Sequence, residues 1–320
     1  MRPTGTVLLA TILAMASCTK RQEALPYVDK PQEADSAALN VAVLPTLGCL
    51  PVYYAQRTGM FDSAGVSVRL WRYQAQMDVD TSVLRGHVQI AASDPFRAIR
   101  MQSDSLHISP LMAINEPLSL VALKGKRVRQ MRQMKEKTVA VCRLSCSDYW
   151  CQRMAADTGL DLSTIYRPQI NDIYLRADML RNGLLDAAML PEPYATWAAA
   201  EGNKRIRRTG DKSICNTLWI VSQREKGRSA HEAQARVFAH VYEEAARRMT
   251  AAVQADTIRK ILTSEYRLPP LLADTMRIPE TPRPRAITRE EIDKAAEWLR
   301  GQNRLPKNFN TDEFLLQQIK

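Results

Sequence analysis

Residues 40–70, NVAVLPTLGCLPVYYAQRTGMFDSAGVSVRL, place a strand, a loop, a short helix and a second strand in one uninterrupted stretch. The short apolar run around Val41 and Val43 suits a buried parallel strand. The chain then turns through Thr46, Leu47, Gly48 and Cys49 into a helix that begins around Pro51. Gly59 ends that helix in a left-handed cap, and Gly65 supplies the turn before the alternating strand 66–70. A helix N-terminus set after a parallel strand points backbone N–H groups outward, where a small polar or anionic ligand docks.

The alternation continues along the chain. Asp80 and Thr81 cap a short helix ending at Gly86, 87–92 is a strand, and Ser93, Asp94 and Pro95 open another helix. A strand over 138–142 precedes a helix capped by Ser147 and Asp148 and ended by Gly159. A strand over 164–170 then leads to a helix from Asn171 and Asp172 to Gly183. A strand over 185–190 follows, and Glu192 and Pro193 open a helix that stops at Gly202. Such alternation predicts an α/β fold with a largely parallel sheet. LRGHVQIAASDPFRAI from Leu84 and LRNGLLDAAMLPEPYATWA from Leu180 share one order of helix end, Gly, strand, acidic residue, Pro and helix, so two similar lobes are expected. The last third reads as a strand over 216–222 and helices over 230–252, 255–263, 289–300 and 312–320, broken by Pro279, Pro282 and Pro284. This fits a chain that returns to the first lobe.

The N-terminus decides the expected compartment. Arg2 precedes an apolar core over 7–16, too short to span a bilayer, so residues 1–17 read as a secretory signal. The tetrad Met15, Ala16, Ser17, Cys18 resembles a bacterial lipobox, which implies cleavage before Cys18 and a lipid on that cysteine. Residues 18–37 then form a polar, Pro-containing tether. Five further cysteines leave at least one unpaired. Of the formal net charge of +11, the densest basic run is 124–137, with seven Lys and Arg residues. No aromatics alternate with them, as a nucleic-acid platform requires, so a solvated face or a weak attraction to a membrane surface is expected instead.

Several stretches together resemble a known family. PVYYAQRTGMF from Pro51 with AGVSV from Ala64, LRGHVQIA from Leu84, and Leu185, Asp186, Ala187, Ala188 with Glu192 and Pro193 are similar to segments of type II periplasmic solute-binding proteins of bacterial ABC importers. The resembled branch includes nitrate, sulfonate, taurine and thiamine-precursor binders. The resemblance implies two lobes, each a mixed, mainly parallel sheet flanked by helices, joined by a two-segment hinge and closing on a ligand. By position, lobe I takes 38–117 and 209–320, lobe II takes 118–208, and the crossings fall near Asn115, Glu116 and Pro117 and near Arg207 and Arg208. It further implies a monomer, anchored to a bacterial membrane through Cys18, facing the periplasm and partnered by a permease.

Ligand contacts in such a fold come from loops at the carboxyl ends of strands. The candidates are Thr46, Cys49, Gln74, Gln76, Ser93 and Asp94 from lobe I, and Arg143, Ser145, Ser147, Asn171, Asp172, Glu192 and Tyr194 from lobe II. Ser93, Asp94, Ser147 and Asn171 also suit helix caps, and a residue at a helix start can serve both ends. Arg143, directly after a strand, suits a carboxylate, sulfonate or phosphate, whereas Asp94 and Glu192 suit an amine or amino-pyrimidine. Cys49 and Cys146 are expected on opposite walls, open to a ligand or a soft metal, although the C-x3-C-x4-C run of Cys142, Cys146 and Cys151 matches no common zinc spacing. Four scattered His residues and the absence of a G-x-S-x-G elbow argue for a receptor that uses no cofactor. The alternatives are a pyrimidine-synthase-like enzyme of the same fold and a surface lipoprotein with a degenerate cleft.

Overall fold

The computed structural model describes residues 38–103, 106–210, 214–223, 228–249, 255–276 and 283–319. The expected signal, lipidation site at Cys18 and tether, and Pro279 and Pro282, lie outside them. The first sheet and its helices are built from β1 (Leu39–Val43), α1 (Leu50–Arg57), α2 (Met60–Ser63), β2 (Val68–Arg72), α3 (Gln76–Leu84), β3 (Ile90–Ser93), α4 (Pro95–Ser103) and β4 (His107–Ile114). The second sheet takes β5 (Leu118–Ala122), β6 (Val139–Ala140), α5 (Cys146–Ala156), α6 (Ile173–Arg181), β7 (Ala187–Pro191), α7 (Tyr194–Ala200) and β8 (Lys204–Arg208). The chain then returns to the first sheet through β9 (Thr217–Gln223) and adds α8 (Arg228–Arg248), α9 (Ala255–Ser264), α10 (Pro270–Thr275), α11 (Arg289–Gly301) and α12 (Thr311–Leu316).

The strand order is β2-β1-β3-β9-β4 in one sheet and β6-β7-β5-β8 in the other. Parallel pairing is confined to β1 with β2 and β3 and to β6 with β7, while β9 runs antiparallel to β3 and β4, and β5 to β7 and β8. The two expected mixed sheets are present, with four antiparallel strand pairs beside three parallel ones. The reason is topological: a strand–helix–strand crossover yields parallel neighbours, whereas β4, β5, β8 and β9 flank the passages between the sheets.

Other expectations shift in detail. The helix expected from Asp80 begins at Gln76, and the strand expected over 164–170 is reduced to bridges of Thr138 with Tyr166 and Val141 with Gln169. Pro168 lies between those bridges and has no N–H to extend the ladder. The last helix stops at Leu316.

Buried Phe61 stacks on Phe238 at 5.6 Å, and Trp219 meets Phe238 at 5.2 Å, so β9 and α8 are sealed against α2. Phe96 on α4 lies 4.9 Å from Tyr149 on α5 and 5.0 Å from Trp298 on α11, joining helices of both sheets in one aromatic cluster. No helix among the described residues is long and apolar enough to cross a membrane.

Candidate functional site between the two sheets

The loop after β1 is fixed from four directions. The Gly48 N–H donates to Glu116 at 2.7 Å, the Tyr242 hydroxyl donates to the Gly48 carbonyl at 2.9 Å, and the Tyr266 hydroxyl to the Thr46 carbonyl at 2.7 Å. Across the divide, the Leu47 N–H donates to the Glu192 carbonyl at 3.3 Å. Glu116, in the first passage between the sheets, also accepts from the Thr217 hydroxyl, while Asn216 in the second passage donates to the Glu116 carbonyl at 2.6 Å. Burial raises the Glu116 carboxyl above its ordinary range, against the lowering effect of bonds from Thr217, Gly48 and Thr46.

Asp94 is fully buried at the start of α4. One oxygen accepts from the Phe96 and Arg97 N–H groups at 3.0 and 3.1 Å, and the other faces the Cys146 N–H at the start of α5, 3.4 Å away. Burial lifts its pKa to about 6, against the opposing pull of Arg97. Arg97, also buried, pairs with Asp80 and reaches the Cys142 sulfur at 3.4 Å. A carboxylate of one half thus occupies the electropositive end of a helix in the other. The neighbouring Ser93 hydroxyl is buried with no hydrogen-bond partner among the described residues.

Four further sequence candidates, Gln74, Asp172, Asn171 and Tyr194, meet the opposite half. The Ile173 N–H donates to the Gln74 carbonyl at 3.0 Å, and the Gln74 amide, oriented to satisfy both neighbours, donates to Asp172 at 3.2 Å and accepts from Arg267. The Asn171 amide faces the Met77 sulfur at 2.6 Å, and the Tyr194 hydroxyl donates to the Tyr266 carbonyl at 3.2 Å. Gln76 is half-buried, with its carbonyl oxygen unpartnered among the described residues.

The side chains of Ser145, Ser147, Arg143 and Glu192 are met within their own half. Ser145 caps α5 by accepting from the Ser147 N–H at 3.1 Å and donates to the Cys142 carbonyl at 2.8 Å, while Ser147 accepts from the Cys142 N–H at 2.9 Å. Arg143 turns toward Asp148 on α5 at 3.3 Å with its side chain 41% exposed, and shares that carboxylate with Arg167. The Glu192 carboxylate accepts from Arg205 at 2.7 Å and from the Thr196 N–H at 3.0 Å, while Asp172 caps α6.

Cys49 and Cys146 are buried in different surroundings. The Cys49 sulfur accepts from the Leu44 N–H at 3.4 Å, and the Cys146 thiol donates to the Cys215 carbonyl at 3.3 Å. Burial pushes the Cys49 thiol up to about 12 and Cys146 well above its ordinary value, so both are thiols rather than thiolates. No group of three His, Cys, Asp or Glu side chains among the described residues is placed to hold a metal ion.

Sequence reasoning missed Arg97, Glu116, Thr217, Tyr242 and Tyr266. For Arg97 a signal existed, since it stands one helical turn beyond the cap Asp94. Nothing local marks the two tyrosines.

No curated protein matches the chain by sequence. Among solved structures, it is similar to the alkanesulfonate-binding protein SsuA from Xanthomonas axonopodis pv. citri bound to MOPS. That likeness has 15% identity and a TM-score of 0.74 and covers 88% of this chain and 98% of that one. It is also similar to the periplasmic nitrate-binding protein NrtA from Synechocystis PCC 6803, with 10% identity, TM-score 0.71 and coverage of 88% and 86%. The aliphatic sulphonate binding protein SsuA from Escherichia coli gives 12% identity, TM-score 0.70 and coverage of 87% and 97%. These likenesses fix the fold as that of periplasmic binding proteins. The NMT1/THI5 like family model matches residues 48–208, half the chain, from the loop after β1 to the end of β8, and the chain belongs to that family.

Proposed function

We propose that this chain is the substrate-binding lipoprotein of an ABC-type importer. In this reading it uses no catalysis, takes a small organic or anionic solute between its two halves and delivers it to a membrane permease. The observation that carries the reading is the meeting of strand-end loops across the divide, Asp94 against the α5 N-terminus and Leu47 against Glu192, with the unpartnered Ser93 hydroxyl beside them. The sulfonate- and nitrate-binding proteins of similar fold support it. Lobe I takes 38–117 and 209–320, lobe II takes 118–208, and the hinge runs through Asn115, Glu116 and Pro117 and through the chain that leaves Arg207 and Arg208 at the end of β8. The ligand set is Thr46, Cys49, Gln74, Ser93, Asp94, Arg143, Ser145, Ser147, Asn171, Glu192 and Tyr194. Residues 1–17 are a signal peptide, and a palmitate-type lipid on Cys18 holds the monomer to a bacterial membrane from the periplasmic side.

Native mass spectrometry followed by thermal-shift screening with sulfonates, nitrate, pyrimidines and amino acids tests this. A true ligand raises the melting temperature in proportion to the logarithm of its concentration above Kd. Turnover of any of these compounds would overturn the receptor reading. A second reading, a surface lipoprotein with a degenerate cleft, is favoured by one observation: Asp94, Glu192 and Tyr194 are already met by protein groups. It predicts no shift with any solute.

A further inference from the structure

Residues 118–208 hold 16 Lys and Arg against 9 Asp and Glu, or +7 of the chain's +11, and the excess is gathered at one corner. The segment 124–137 crosses that corner as a strap pinned from beneath. Val128, Met131 and Met134, spaced three apart, are buried, and a 3-10 turn over Met131–Met134 is closed by reciprocal hydrogen bonds of Gln130 and Gln133. Around these anchors Lys124, Lys126, Arg127, Arg129, Arg132 and Lys135 are all exposed, beside half-buried Lys137 and a single exposed acid, Glu136. The register of β5 with β8 sets Ala122 opposite Lys204, and the Lys124 N–H donates to Asn203 at 3.0 Å, so exposed Lys204 joins the same corner. Among the described residues Lys126 pairs with Asp186, whereas Lys124, Arg127, Arg129, Arg132, Lys135 and Lys204 make no ion pair. An excess of like charge on one strap costs folding energy through self-repulsion that the few acidic groups nearby, Glu136, Asp186 and Glu201, offset only in part.

We propose that this strap is a docking surface for the anionic phospholipid headgroups of the membrane beside which the protein is held. The strap contains no aromatic residue and its apolar side chains are buried, so it lacks the stacking groups of a nucleic-acid platform and the inserting groups of an amphipathic anchor. What remains is electrostatic adsorption to a negatively charged surface. The choice of lipid over an acidic protein rests on the lipid at Cys18 proposed above. Cys18 stands about twenty residues before β1, a length of chain that reaches at most about 70 Å, so a lipid on it keeps the strap within reach of headgroups.

Flotation of the full chain on vesicles tests this, with pure phosphatidylcholine compared with 30 mol% phosphatidylglycerol at low and high salt. The wild type is expected to gain partitioning from phosphatidylglycerol at low salt and lose that gain at high salt. K124E/R127E/R129E should lose at least about a hundredfold of the gain, near fivefold for each of the three cations removed with repulsion by the three new carboxylates in addition, and keep its partitioning to phosphatidylcholine. R85E/R304E/K307E, an equal charge change at exposed sites outside the strap, should behave as wild type. Equal loss in both triple variants, or no loss in the first, overturns the proposal, as does retention on heparin without any preference for phosphatidylglycerol. Melting curves verify that both variants fold. Absence of the lipid at Cys18 would show as lost partitioning to phosphatidylcholine, and failure of the receptor reading as absence of any solute-induced thermal shift. Both are separate from the phosphatidylglycerol-dependent difference.

Discussion

Replacing Asp94 by asparagine isolates the energetic cost of a charge enclosed between the two halves. The substitution keeps an oxygen to accept from the Phe96 and Arg97 N–H groups, so the cap on α4 survives, while the ionisable group is lost. In the folded chain the carboxyl holds its proton up to about pH 6, against 3.8 in an unfolded chain. Between those values the unfolded state binds fewer protons than the folded one, so the contribution of Asp94 to stability falls as pH rises and levels off above about 6. At 1.36 kcal/mol per pH unit the fall amounts to about 3 kcal/mol. Urea unfolding of wild type and Asp94→Asn from pH 4 to 7.5 measures it as the pH dependence of their difference. Glu116, also raised by burial, titrates in both chains and cancels. The wild type should lose ground to the variant across the window. A difference that is flat with pH, or that grows in favour of the wild type, refutes the assignment of a buried, unneutralised carboxylate.

Three other outcomes follow from the packing. Gly48→Ala places a methyl group 2.9 Å from both the Glu116 carboxylate and the Thr217 hydroxyl and should cost about 1–3 kcal/mol by urea denaturation; unchanged stability would mean that the loop is not clamped there. Arg205→Ala leaves the buried Glu192 carboxylate without its guanidinium and should cost about 2 kcal/mol in the same assay, whereas a change below a few tenths would show that the charge is solvated. Cys49, Cys142, Cys146, Cys151 and Cys215 are all buried with raised pKa values, so iodoacetamide at pH 8 should modify none of them in the folded chain and all five in urea. Peptide mapping reads the result, and rapid labelling of Cys49 would contradict its placement.

What was legible in the sequence depended on local grammar. Helix α6 announces itself through the Asp172 cap and α7 through its acidic-Pro start, and β7 is a plain apolar run between them. The strands β4, β5 and β8 carry no such signal. β4 contains Pro110 beside a shift in register, and β8, Lys-Arg-Ile-Arg-Arg, is an edge strand whose charges keep other chains from adding to the sheet rather than fitting a buried pattern. Site residues followed the same division. Asp94 and Gln74 could be placed because they stand at strand ends, and both meet the opposite half. Arg143 looked free because its partner Asp148 reads in sequence only as a helix cap. Glu116, Tyr242 and Tyr266 reach the loop after β1 from distant parts of the chain, and periodicity carries no information about such contacts.

Those distant contacts also order events in time. Thr46 and Tyr266 are 220 positions apart, and Gly48 and Tyr242 are 194 apart, yet each pair is joined by one hydrogen bond at the same loop. During synthesis from the N-terminus, this loop emerges among the first structured segments but cannot take its final shape until a further 220 residues, about two-thirds of the polypeptide, have followed. A chain halted before Tyr266 would carry the sheet strands of its first half and still lack a finished rim.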